Sequence, residues 1–256
     1  MKLSRLIWIT FLLLESLLLV LPLPVYLTWT LGIMLLLLFL ACLAWGAASI
    51  HSGMFIRAIC KGDPGNARVA LTFDDGPHPE ATPKILDFLE SEGIKATFFL
   101  RGDAISGQEA LVRKLHRSGH TLGNHSYHHR SFFPLMSPGR IADEIRSTSS
   151  LLEEITGERV RYFRPPFGVS NPRIARGLRN SGLEVIGWSI RSFDTRNEDP
   201  ARVIRRIGAK LEAGSVILLH DQSAHILEIL ELLIPLIRER GLTCVNMDKL
   251  LNVKDK

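Results

Sequence analysis

The 256 residues are 46% hydrophobic and 22% charged, with a net charge of +5, which is chain enough for one domain with a continuous core and an appendage. Three cysteines exclude a disulfide-stapled scaffold: Cys42 lies in an apolar run, and Cys60 and Cys244 are either paired or free. The positive surplus suits an anionic membrane surface, and no basic block with interleaved aromatics points to nucleic acid as a partner.

The first predicted element is apolar. From Leu6 to about Ile50 the chain reads LIWITFLLLESLLLVLPLPVYLTWTLGIMLLLLFLACLAWGAASI, with Glu15 as its single charge. A helical bilayer crossing takes about 20 apolar residues, so this run holds two, divided at Pro22 and Pro24. The second, from about Leu27 to Ile50, is the stronger. Glu15 lies within the first, and a carboxylate at mid-bilayer costs about 2.5–3.5 kcal/mol. A cleaved signal peptide is the competing reading, since Lys2 and Arg5 give the run a basic start. The run far exceeds the about 7–15 residues of a signal core, which favours a retained transmembrane hairpin over residues 1–50, in an inner or plasma membrane of bacterial type. Sidedness stays open. Lys2 and Arg5 precede the hairpin, Arg57 and Lys61 follow it, and the PLPVYLTW connection is uncharged. Two crossings therefore place the rest of the chain on the cytoplasmic side, and a single crossing places it outside.

Residues 51–67, with the turn-rich KGDPGN, are predicted to link the hairpin to a domain over residues 68–256. Its strand candidates are VALTF (69–73), KATFFL (95–100), HTLGN (120–124), RYF (161–163), EVIGWSI (184–190), SVILLH (215–220) and TCVNM (243–247). Between them lie PKILDFLESEG, QEALVRKLHRSG, SPGRIADEIRSTSSLLEEITG, NPRIARGLRNSG, DPARVIRRIGAKLEAG and AHILEILELLIPLIRERG, helix-like and closed by glycine. The alternation predicts an α/β fold with a parallel sheet, a distorted or incomplete (β/α) barrel of about seven strands. Asp74 and Asp75 follow the first strand, His125 and His129 the third, Arg164 the fourth and Asp194 the fifth, while His220 and Asp221 end the sixth. All fall at C-terminal strand ends, where a β/α barrel assembles its site from separate loops.

In NHSYHH, His125 and His129 are four apart, close to one helical turn, so both imidazoles can face one point. Alone, such a pair reads as surface decoration, and His128 as solvent-facing or a support. Two imidazoles with a carboxylate from a neighbouring strand end make a ligand set for zinc or another divalent metal, with a position left for water. Asp74 and Asp75 alone read as turn formers before Gly76 and Pro77. Beside the histidines, one carboxylate can hold the metal while its neighbour takes a proton from water.

TFDDGPH, HSYHH, RPPFG, SFD and LLHD, in this order and approximate spacing, resemble the motifs of the polysaccharide deacetylase family, carbohydrate esterase family four, from about Val69 to the C-terminus. The resemblance implies that Asp75, His125 and His129 bind a divalent metal, zinc first, with cobalt or another ion as alternatives. It implies that Asp74 is the general base, oriented by Arg164. The backbone N–H of Phe167, next to Pro165 and Pro166, would meet the oxyanion. His220 would protonate the leaving amine with Asp194 as its charge partner, and Leu218 would line the acetyl pocket. The chemistry agrees: amide hydrolysis needs a nucleophile, a stabilised oxyanion and a proton donor, and a histidine beside a carboxylate has the raised pKa that suits a general acid near neutrality.

The family pattern around the fourth motif is W-x-x-D-x-x-D-W, whereas this chain reads WSIRSFDT, with Arg191 at the first aspartate and Thr195 at the tryptophan. The acid's partner is kept and a groove-lining aromatic is lost, which argues against a long polymer groove. The implied partners are an N-acetylated glycan, peptidoglycan or chitin-like, and the bilayer. A lipid-linked or nucleotide-linked amino sugar is the alternative on the cytoplasmic face, and a non-sugar amide the alternative within the fold. A non-catalytic glycan-binding membrane protein predicts loss of a ligand, the base or the acid, and all are present. The Arg101–Asp103 RGD reads as a loop cap, and His51, His116, His120 and His225 have no partner nameable from sequence.

Overall fold

The computed structural model describes residues 2–253 except Asn197. The side chain of Lys2, part of the sidedness argument, and the last three residues of the expected domain lie outside the described set. Two helices open the chain, α1 (Lys2–Val20) and α2 (Val25–Ala48), both long and apolar enough to cross a membrane. Aromatic rings hold them together: Trp8 and Phe11 meet Phe39 at centroid distances of 4.6 and 4.3 Å. The Glu15 carboxylate sits against Gly32 of α2. The outer faces are bare hydrocarbon, with Leu13 65% and Leu38 67% exposed.

Nine strands follow among the described residues. They are β1 (Ala58–Ile59), β2 (Arg68–Asp74), β3 (Thr97–Leu100), β4 (Thr121–Asn124), β5 (Tyr162–Phe163), β6 (Glu184–Ile186), β7 (Ile190–Arg191), β8 (Val216–His220) and β9 (Thr243–Val245). All pair in parallel, in the order β1-β6-β5-β4-β3-β2-β8-β7, with β9 on the first half of β2. The path ends at β1 and β7 without closing, so the expected incomplete barrel is an open, curled half-barrel. Two differences raise the strand number. EVIGWSI breaks after Ile186, because Gly187 turns its carbonyl onto Arg164 while its N–H bonds Ile59. In the stretch expected to be a linker, Ala58 and Ile59 form an edge strand in register with Val185 and Ile186.

The helices are α3 (Ala81–Ser91), α4 (Gly102–Ile105), α5 (Glu109–Arg117), α6 (Pro138–Thr156), α7 (Pro172–Gly177), α8 (Pro200–Gly208), α9 (Ile226–Glu239) and α10 (Met247–Leu250). Three begin with a capping side chain followed by proline: Ser137-Pro138, Asn171-Pro172 and Asp199-Pro200. The cap accepts an orphan N–H, and proline supplies a helical φ where no donor is needed.

Strand alternation divides the core and places the site. On β2, Val69, Leu71 and Phe73 join the cluster that includes Leu86 of α3 and Leu233 of α9, and Ala70 joins the opposite cluster. Thr72 and Asp74 share the face of Ala70 by the two-residue repeat. On β8 the same division sends Ile217 and Leu219 one way and Val216 and Leu218 the other, with His220 following Leu218. Asp74 is in register with His220, so the two side chains end up on one face at neighbouring strand ends.

Candidate active site

Arg164 organises the buried part of the site. It is 0% exposed and follows β5. Its Nη1 donates to Asp74 Oδ1 at 2.6 Å and Thr72 Oγ1 at 2.8 Å, and its Nη2 donates to the Gly187 carbonyl at 2.7 Å. The guanidinium lies 4.1 Å from the Phe99 ring centroid. A buried charge is tolerable only when paired and hydrogen-bonded, and this one is both. With one oxygen of Asp74 fixed by Arg164, the other, Oδ2, lies 3.8 Å from His125 Nε2.

The adjacent carboxylates do not point apart as in an extended strand. Asp74 ends β2, and Asp75 takes a left-handed φ of 73°. Its Oδ1 then lies 3.6 Å from His125 Nε2 and 3.5 Å from His129 Nε2, too long for hydrogen bonds. That oxygen is buried with no hydrogen-bond partner. One ligand atom from each of Asp75, His125 and His129 lies within 4.8 Å of the others. An orphaned carboxylate oxygen facing two imidazole nitrogens fits a divalent cation, which would satisfy all three donors at once.

The helical spacing expected for the two histidines is corrected by the structure. His125 and His129 lie in a loop after β4, with Ser126 at φ 65° and His129 at φ 49°. These left-handed residues, not a helical turn, bring the rings to 4.8 Å. Asn124 pins the loop by accepting the Ser126 N–H through its Oδ1 at 2.8 Å. His125 Nδ1 lies 2.8 Å from the Arg164 carbonyl; since a carbonyl only accepts, Nδ1 carries a proton, and Nε2 is the nitrogen turned to Asp75. Burial, aided by the charge of His125, lowers the His129 pKa to about 4, so its ring is neutral, the form that ligates metal. Burial works to raise the Asp75 pKa, and His125 and His129 in their protonated forms, with His220 and Arg101, outweigh it and lower it. His128 turns aside to Glu144 at 2.7 Å.

Across the site, His220 Nδ1 lies 2.8 Å from Asp194 Oδ1, and its backbone N–H donates to Asp194 Oδ2 at 2.8 Å. Ser192 donates a third bond to Asp194. Burial would lower the pKa of His220, but the hydrogen bond and charge of Asp194 dominate and raise it. Pro165 and Pro166 are buried. Phe167 stands at the mouth, 46% exposed at φ 61°, with its ring centroid 4.7 Å from that of His129. Gly168 at φ 68° admits Trp188, whose ring would come within 2.2 Å of a Cβ there. Leu218 is 2% exposed. Arg191 lies over Trp188 and Phe193 instead of entering this network, and Thr195 is in the 3-10 turn that carries Asp194.

Sequence reasoning assigned Asp221 no role. It is fully buried, accepts a very short hydrogen bond from Thr82, and packs so tightly under the aspartate turn that a Cβ at Gly76 would meet its Oδ2 at 2.4 Å. Burial, with Asp75 and Asp74 nearby, raises its pKa to about 7. The available signal was LLHD itself, a second ionisable residue at a strand end. The other unassigned groups are plainer. Arg101 pairs with Asp103 at 2.8 Å, His120 Nδ1 accepts the Ala96 N–H, and Cys60 and Cys244 are free thiols.

Residues 61–186 match the model of the family described as polysaccharide deacetylase. The match ends before Asp194 and His220. Peptidoglycan-N-acetylglucosamine deacetylase PgdA of Listeria monocytogenes is 31% identical over 189 residues, 74% of this chain, and the chain spans only 40% of that protein's length. A peptidoglycan-N-acetylglucosamine deacetylase of Bacillus cereus is 30% identical over 191 residues, covering 73% of this chain and 69% of the relative. Among solved structures, a Bacillus anthracis CE4 family pseudoenzyme, in a mutant form with restored enzymatic activity, is 29% identical with a TM-score of 0.70, covering 75% of this chain and 70% of the other.

Proposed function

The chain belongs to the polysaccharide deacetylase family, and on that premise we propose that it is a membrane-anchored, metal-dependent hydrolase removing the N-acetyl group from an amino sugar of a glycan. The observation that carries this reading is the orphaned Asp75 Oδ1 facing two imidazoles, one strand end from the Arg164–Asp74 and His220–Asp194 pairs. Asp75, His125 and His129 would hold the ion, zinc or another divalent metal. When bound it supplies Lewis-acid polarisation of the amide carbonyl and activation of water.

The chain's own residues supply the rest. Asp74, held by Arg164 on one oxygen, offers Oδ2 as the base that takes a proton from attacking water. His220 is protonated through Asp194 and keeps Nε2 free to deliver that proton to the leaving amine. The N–H of Phe167 serves the developing oxyanion, and Leu218, sharing a face with His220, borders the acetyl methyl. Residues 1–50 form the anchor, 51–67 the connection and 68–256 the catalytic domain. The exposed leucines of α1 and α2 support the anchor, since the described domain leaves that hydrocarbon uncovered.

Acetate release from N-acetylglucosamine oligomers by the purified full chain, with metal analysis, tests this reading. Metal-free wild type, or undiminished hydrolysis in Asp75→Ala, overturns it. A second substrate reading has its own support: Arg5 before the hairpin and Arg57 after it line one cavity, so both positive ends lie on the domain's side. That placement favours a cytoplasmic domain acting on a lipid-linked or nucleotide-linked amino sugar. Protease added to spheroplasts distinguishes the two, with protection expected for the cytoplasmic case and cleavage after Lys61 for the external one.

A further inference from the structure

A cavity of about 820 Å³ lies away from the candidate active site. It opens where the first turns of α1 meet the flank of the domain beyond β1, between the chain at 55–59 and the end of α7. Four arginines border it: Arg5 from α1, Arg57 from the approach to β1, and Arg176 and Arg179 from α7 and the turn after it. Against them stands one carboxylate, Glu184. Among the described residues none of the four guanidiniums has an ion pair, whereas Arg101, Arg164 and Arg206 each have one. Four arginines against one carboxylate leave the cavity wall net positive, which favours an anion there, and the planar fork of arginine matches phosphate oxygens.

The structure assigns this cavity to the phosphate of an anionic phospholipid headgroup. This rests on the proposed anchor, and depth selects the ligand. Arg5 lies at the start of an apolar helix, so with α1 in a bilayer the cavity stands at headgroup level, where basic pockets beside spanning helices bind acidic lipids. The walls select it too. Trp8 of α1, 48% exposed, and Phe55, Leu178 and Leu183 of the domain give an apolar lining continuous with the hairpin. A free phosphate has nothing to bury there, whereas a diacyl lipid does. The bound lipid bridges anchor and domain, fixing the catalytic unit against the membrane surface.

The test uses the full chain in a mild nonionic detergent. Phosphatidylglycerol is expected to raise the thermal midpoint by roughly 5 °C near saturation, with phosphatidylcholine and inorganic phosphate leaving it in place. In Arg57→Gln/Arg176→Gln/Arg179→Gln the shift falls by more than half, while acetate release from soluble oligomers is unchanged. An equal shift with phosphatidylcholine, an equal shift with inorganic phosphate, or an undiminished shift in the triple variant overturns the assignment. Should the variant fail to fold, native mass spectrometry of the wild type decides: preferential retention of phosphatidylglycerol supports the site, and indifference overturns it. Carbonate washing of membranes separates the two levels. Release of the chain overturns the anchor and the site with it, whereas retention without lipid preference overturns the site alone.

Discussion

The C-terminal edge of the sheet buries charge, and the helix hairpin exposes hydrocarbon. Arg164 is 0% exposed and Asp74 and Asp194 are 3% exposed, whereas Leu19 and Val20 are 79% and 76% exposed. Both regions reverse the ordinary inside-out distribution, and the reversal is the informative observation in each. At the sheet edge the compensation is internal: Arg164 donates to Asp74, Thr72 and two carbonyls, and Asp194 accepts from His220 and Ser192. The hairpin packs through Phe39 and, at the end of α2, through Gly46 against Met54, and its outer faces stay bare. A bilayer would supply the missing compensation, which is the ground for the proposed anchor. Among the described residues Asp75 Oδ1 is a buried oxygen left unpaired beside His125 and His129, and it likewise calls for something outside the chain.

The comparison breaks most sharply at Asp75. Asp75→Asn removes the shared carboxylate, and metal analysis should show loss of the ion together with loss of acetate release. Next comes the proton donor. His220→Gln is expected to lower kcat by about 10²–10⁴-fold and to abolish the basic limb of the pH profile. In the wild type that limb lies above about pH 6.5, because a histidine with a raised pKa stays protonated past its ordinary value and loses the proton as pH rises. Arg164→Met tests whether internal pairing sustains the buried charge. Leaving Asp74 buried without its partner should cost about 3–5 kcal/mol by denaturant titration. A cost near zero would mean water already reaches the pair. The smallest effect is expected on the hairpin, where Leu38→Asp opposes insertion by about 2.5–3.5 kcal/mol, read as a larger carbonate-extractable fraction. No change would show that Leu38 does not face lipid.

Much of this was legible in sequence because strand periodicity carries direct geometric meaning. RVALTFD alternates, so Thr72 and Asp74 had to share a face once Leu71 and Phe73 were given to the outer core. Strand ends then gathered Asp74, Arg164 and His220 without knowledge of the loops. Loop conformation was the illegible part. His125 and His129 meet through left-handed Ser126 and His129, which no helical spacing describes. Asp75 turns toward the histidines by the same device. The two-residue β1 is too short for a periodic signal, and it exists only because Val185 and Ile186 offer an edge. Asp221 was visible as a residue but not as a buried one, since its burial comes from Gly76 and Thr82, far away in the chain.

The central claim is that two adjacent carboxylates divide the work, Asp75 holding metal and Asp74 moving a proton. The most direct measurement is metal stoichiometry and acetate release on one preparation of Asp74→Asn. The account predicts wild-type metal content with turnover reduced by about 10²-fold or more. Loss of the metal along with activity, or turnover retained, would contradict it.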